Sequence, residues 1–190
     1  MSTYLVAFAV TDFVKQTSGS FTVWTRREAL PQARYALEIG PRILTYFEKY
    51  FNIPYPLPKM DMMALPDFAA GAMENWGLIT YREIAMLYQE GVSTASNKQQ
   101  VATVVSHELA HQWFGNLVTP SWWSDLWLNE GFASYVEYLG VNAVSECTLE
   151  QIIIVGRLDE NVDSALERCR LDHYFSLGKA LQSLGKRETF

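Results

Sequence analysis

Apolar residues return with two different periods along this chain. Between residues 31 and 51, Tyr35, Ile39, Ile43, Phe47 and Phe51 recur every fourth position, which places them on one face of a helix. Pro31 suits the first turn of that helix, and Gly40-Pro41 predicts a kink or break within it. Val101, Val104, Val105, Leu109 and Phe114 form the apolar side of a second helix. A third carries Trp127, Glu130, Ser134 and Glu137. Strand patterns occupy residues 3–10 (TYLVAFAV), 21–25 (FTVWT), 59–65, 76–81 (WGLITY) and 83–88. Turn-rich segments lie at 16–20, 52–58, 66–70, 90–97 and 115–120. Ser96 or Asn97 is the expected cap of the second helix, and Ser124 or Asp125 that of the third. The aromatic stripe of the first helix reads as core, and Trp122, Trp123 and Trp127 read as core anchors rather than as the wall of a cleft.

The chemistry concentrates on the second and third helices. His107 and His111 are four residues apart, so their imidazoles project from one helical face about a turn apart and can grip one metal ion. Glu108 lies beside the ion but is free to act as a base. Eighteen residues separate His111 from Glu130, enough for a loop and a helix to bring a carboxylate back to the same ion. Two histidines and one glutamate leave a fourth zinc position open, the mark of a catalytic rather than a structural site. The His-Glu-x-x-His pattern alone also occurs in ordinary helices. Its apolar context, and the placement there of two of only three histidines in the chain, favour the metal reading. A zinc-activated water would attack a carbonyl, with Glu108 as general base and then acid.

HELAH, the spacing to Glu130, and GAMENWG at residues 71–77 together resemble the zinc aminopeptidases of the aminopeptidase N family, the gluzincins. The resemblance runs from about residue 2 to residue 144. It implies an α+β, thermolysin-like catalytic domain with one Zn2+ between two central helices, held by His107, His111 and Glu130. It implies peptide substrates with a free N-terminus. Gly71, Ala72 and Met73 would let an extended peptide approach the backbone, and Glu74 and Asn75 would supply polar groups, Glu74 anchoring the α-amine. Ligand histidines usually donate their second N–H outward; Ser134 and Glu137 share the helical face of Glu130, and Glu137 is the candidate chosen. Family members also use a downstream tyrosine in a Y-x-K-G-A context. Tyr174 precedes Gly178-Lys179-Ala180 in a different order, so the role is not transferred. The expected organisation is a truncated one. Residues 1–10 are a remnant strand at the junction with a β-rich domain, residues 11–144 the catalytic core, and residues 145–190 a divergent helical tail.

Composition narrows the picture a little further. The chain has 190 residues, 49% of them apolar and 19% charged, which fits one folded domain. A net charge of −6 without a basic run argues against nucleic acid. Two cysteines, Cys147 and Cys169, cannot build a disulfide framework; they can form one bridge or stay free thiols, and free thiols are favoured. MSTYLVAFAV lacks a basic leader region, and no apolar run approaches a membrane span. The family includes both membrane-anchored and cytosolic enzymes, so the compartment stays unassigned. The competing expectation is a catalytically impaired isoform that binds zinc and acts as an interaction module.

Overall fold

The structure is a computed structural model that describes residues 2–144. Strand β1 (Val14–Ser18) and strand β2 (Phe21–Thr25) form an antiparallel hairpin, Val14 opposite Thr25 and Ser18 opposite Phe21. Gly19, at φ 59°, makes the tight turn that a side chain would resist. β2 runs parallel to β3 (Met60–Leu65), which runs parallel to β5 (Leu78–Arg82); the two-residue β4 (Ala72–Met73) pairs antiparallel with β5. The order β1-β2-β3-β5-β4 leaves β4 on an edge. Phe21, Val23 and Thr25 alternate inward along β2, the two-residue period of a half-buried strand.

Among the described residues four α-helices pack with this sheet and with one another. Helix α1 (Arg34–Phe51) buries Ile39, Ile43 and Phe47. Short α2 (Glu83–Met86) follows β5, and α3 (Ala95–Ala110) packs against α1, α2 and α4 (Leu126–Val144). Val101, Val105 and Leu109 on α3 are buried as their spacing predicts. An aromatic cluster locks α1 to the chain leaving α3: Trp113 lies 6.0 Å from the Phe47 ring and 5.4 Å from Phe51, and Phe114 lies 5.3 Å from Phe51. Among the described residues no helix is long and apolar enough to cross a membrane.

Several local expectations give way. Residues 3–10 form no strand: Thr3–Leu5 is a 3-10 turn that buries Leu5, and Phe8 and Val10 point to solvent. With no neighbouring strand to pair with, β-propensity alone does not hold that run extended in a sheet. The first strand lies instead at Val14–Ser18, where residues 16–20 were expected to turn. Its polar sequence suits an exposed edge. Pro31 falls in a 3-10 turn, Arg27–Ala33, and α1 runs on through Gly40-Pro41. A Cβ at Gly40 would come within 3.1 Å of both Phe21 and Met62. Helix and sheet touch closely there, and packing sustains the helix past a proline that removes one of its hydrogen bonds. Within residues 83–88, Glu83–Met86 make α2, and none of the six lies in a strand.

The caps differ too. Thr94 caps α3, in a reciprocal pair with Asn97: the Asn97 N–H donates to Thr94 Oγ1 at 3.1 Å, and the Thr94 N–H donates to Asn97 Oδ1 at 3.1 Å. Ser124 and Asp125 lie in a 3-10 turn, Trp123–Asp125, ahead of α4. Trp122, Trp123 and Trp127 are exposed, not core. The core they were expected to anchor is already filled by Trp113, Phe47, Phe51 and Phe114. Cys147, Cys169, Tyr174 and the expected tail at 145–190 lie outside the described residues.

Helices α3 and α4 approach closely at Gly140. A Cβ there would collide with Ser106 Oγ and stand 2.8 Å from Phe47 Cζ. Ser106 Oγ in turn donates to the Glu137 carbonyl at 2.7 Å, one turn before Gly140. Gly140→Ala should therefore overpack the contact and destabilise the metal-free chain by about 1–3 kcal/mol. A fall in the thermal unfolding midpoint, accompanied by weaker zinc binding, is the expected result of differential scanning calorimetry and a metal titration.

Candidate active site

Helix α3 ends at the site. His107 and His111 stand on its last turns with their Nε2 atoms 2.9 Å apart. Glu130, in the first turns of α4, puts Oε2 3.3 Å from His107 Nε2 and 3.5 Å from His111 Nε2. The second nitrogens are occupied. His107 Nδ1 lies 2.6 Å from Glu137 Oε2, and His111 Nδ1 lies 2.9 Å from the Phe114 carbonyl. A carbonyl only accepts, so His111 Nδ1 carries the proton; the Glu137 carboxylate favours the same tautomer in His107. In the neutral rings both Nε2 atoms then present bare lone pairs to each other and to a carboxylate. Three acceptors facing one point repel unless a cation lies between them or the rings take up protons. Around zinc, donors at roughly 2.0–2.1 Å in a tetrahedral arrangement stand about 3.3 Å apart, close to the three separations found here. The donor set of two imidazoles and one carboxylate fits that ion.

Without a cation, protons must do its work. Burial opposes charge on His107, but hydrogen bonds to Glu130 and Glu137 outweigh it and raise its pKa to about 10. His111 is also raised: burial again opposes, and the Glu130 hydrogen bond prevails. The same two histidines hold Glu130 far below the usual carboxylate range.

Glu108 is 6% exposed, and its Oε2 has no partner among the described residues. Burial lifts its pKa to about 7, against the pull of His111 and His107 and with the Glu74 charge adding to the rise. Glu74 is buried as well. One carboxylate oxygen each from Glu74 and Glu108 and a ring nitrogen of His111 lie within 4.8 Å of one another. GAMEN therefore reaches the histidines. Ala72 and Met73 form β4, the Arg82 N–H donates to the Gly71 carbonyl at 2.8 Å, and Thr80 Oγ1 donates to Asn75 Oδ1 at 3.2 Å.

His107, His111 and Glu130 thus meet at one point, Glu74 and Glu108 lie beside His111, and Glu137 rather than Ser134 reaches His107. Sequence reasoning passed over four others. Tyr4 donates from its hydroxyl to Glu74 Oε1 at 3.4 Å and accepts from Asn129 Nδ2 at 3.5 Å. Burial and the adjacent Glu74 push its pKa to about 12. Gln112 and Asn116 donate to the Glu74 carbonyl. Nothing local marks Tyr4, seventy positions from Glu74. Gln112 did carry a signal: it follows Glu108 by four residues and shares its helical face.

Residues 35–174 match the peptidase family M1 domain, and the chain belongs to that family. It is 58% identical over 149 residues to aminopeptidase Ey of Gallus gallus, an alignment covering 75% of this chain and 15% of that protein. It is 53% identical over 166 residues to aminopeptidase N of Oryctolagus cuniculus, covering 83% of this chain and 17% of the relative. With aminopeptidase M1 of Arabidopsis thaliana the identity is 58% over 149 residues, 76% of this chain and 17% of the relative. The chain thus spans between 15% and 17% of the length of these curated relatives.

Two outcomes follow from the geometry. His107 has its pKa raised to about 10 in the metal-free chain, so zinc, if bound there at about pH 7.5, would expel a proton from it, whereas Glu130 is already ionised and would release nothing. Calorimetric titrations in buffers of different ionisation enthalpy should show about one proton or more released per zinc, and tighter apparent binding as pH rises from 6 toward 9. Second, Glu137→Gln should weaken zinc binding by about 10- to 100-fold, read from competition with a chelating dye.

Proposed function

We propose that this chain carries the catalytic centre of a zinc-dependent metallo-aminopeptidase with a thermolysin-like fold. His107, His111 and Glu130 hold one Zn2+, and the substrates are peptides with a free N-terminus. The observation that carries the reading is the meeting of three acceptor atoms from two helices beside two buried carboxylates. When bound, zinc supplies a Lewis acid that makes water more acidic and polarises a carbonyl.

The chain's own residues do the rest. Glu108 accepts a proton from the attacking water and passes it to the leaving amine; its raised pKa suits an exchange in both directions near neutrality. Glu74 offers a buried carboxylate to the substrate's α-ammonium, an arrangement that selects chain ends. An endopeptidase, whose substrate brings no charge there, would leave that carboxylate buried and unpaired by its ligand. The edge strand β4 gives the backbone of Ala72 and Met73 to an extended peptide, which can add as a further strand. Aminopeptidase activity among the named relatives supports this reading.

A second reading is favoured by the exposed Trp122 and Trp123, the latter with its ring 5.3 Å from that of Tyr4. On this view the chain binds zinc without turnover and serves as an interaction module. One experiment separates the two. Purified chain with added zinc is assayed on an aminoacyl chromogenic substrate, with Glu108→Gln as control. The enzyme reading expects turnover abolished by chelator, restored by zinc, and reduced by about 1000-fold or more in the variant while zinc is still bound. Wild type no faster than the variant would leave only the interaction module.

A further inference from the structure

The turn leaving α3 holds two things at once. Its Phe114 carbonyl takes the proton of His111 Nδ1. Two residues later, Asn116 Nδ2 donates to the Glu74 carbonyl at 2.8 Å. Gln112 donates to the same carbonyl at 3.4 Å and to the Glu108 carbonyl at 3.0 Å. Both amides are 1% exposed. Their orientation follows from chemistry: a flipped amide would press oxygen against a carbonyl oxygen.

The turn itself is stiff. The Asn116 N–H donates to the His111 carbonyl at 3.1 Å, the Gly115 N–H to the Val118 carbonyl at 2.9 Å, and Thr119 Oγ1 to the Asn116 carbonyl at 2.9 Å. Gly115, at φ 119°, brings the backbone so close that a Cβ would stand 3.1 Å from Asn129 Nδ2 and 3.5 Å from His111 Nδ1. GAMEN meets the turn leaving α3 through these side chains. The β4 pairing and the bonds of Gly71 and Asn75 to β5 hold the loop on the sheet on either side of Glu74, whose carbonyl is the one that Asn116 and Gln112 meet.

We infer that Asn116, assisted by Gln112, is a positioning residue that holds the Glu74 carboxylate at a set offset from His111, so that the site measures one residue from a substrate's free amine. This rests on the reading of Glu74 as the amine anchor. A hydrogen bond of 2.8 Å to a buried carbonyl constrains more than one of 3.4 Å, so Asn116 carries the larger share.

The test uses the zinc-loaded full chain and two ligands, leucine hydroxamate and its des-amino analogue, with affinities measured by isothermal titration calorimetry. Wild type should prefer the amine-bearing ligand. Asn116→Ala should cut that preference by about tenfold, the scale of one hydrogen bond. Gln112→Leu should cut it by less, and zinc affinity should stay within about twofold of wild type in both. An unchanged preference in Asn116→Ala, or a loss that tracks zinc affinity, overturns the inference. If Asn116→Ala does not fold, Gln112→Leu decides by the same criterion. Wild type that binds zinc yet shows no preference for the amine overturns the Glu74 reading, and the positioning role with it.

Discussion

Everything at this site depends on how closely α3 and α4 can pack. Glu130 reaches two imidazoles across from α4, and the same two helices come so close at Gly140 that a Cβ there would collide with Ser106. The Ser106 hydroxyl, bonded to the Glu137 carbonyl, fixes the sliding position of one helix along the other. That bond and the Glu137–His107 contact come from one turn of α4. The backbone contact that sets helix position thus also sets the tautomer of a candidate ligand. Packing and chemistry are the same event here, because a helix is stiff over the seven residues between Glu130 and Glu137.

Charge gives the site its second constraint. Glu74, Glu108 and Glu130 crowd around two histidines in a largely buried space. Carboxylates gathered in low dielectric repel one another unless positive charge joins them. In the metal-free chain the histidines answer by holding protons, which explains the raised pKa of His107 beside the depressed one of Glu130. On the proposed function, a divalent ion would meet the same need more completely on the Glu130 side and a substrate ammonium on the Glu74 side, with His111 bordering both.

The 111–118 turn joins those two positions. It fixes His111 through a carbonyl and GAMEN through two amides, although GAMEN lies some forty residues earlier in the chain. Tyr4 adds a contact from still further away, and the Trp76 N–H ties the same N-terminal segment to the loop through the Leu5 carbonyl at 3.1 Å. GAMEN is thus braced both by the turn leaving α3 and by the N-terminal segment.

What the residues determined unaided was whatever a single helix turn or a local pattern can encode. The four-residue step of His107 and His111, the apolar stripes of α1 and α3, the alternating β2 and the polar edge of GAMEN are properties of short segments, and the structure carries them through. Tertiary structure decided the rest. Pairing made a strand of polar Val14–Ser18 and denied one to apolar residues 3–10, since a strand exists only with a partner. Packing against Phe21 and Met62 kept α1 intact across Pro41. A core already filled by Trp113 and its neighbours left Trp122 and Trp123 outside. The partners of Glu74 follow from topology as well, because Tyr4 and Asn116 are remote in sequence and only the folded chain brings a hydroxyl and an amide to the same loop.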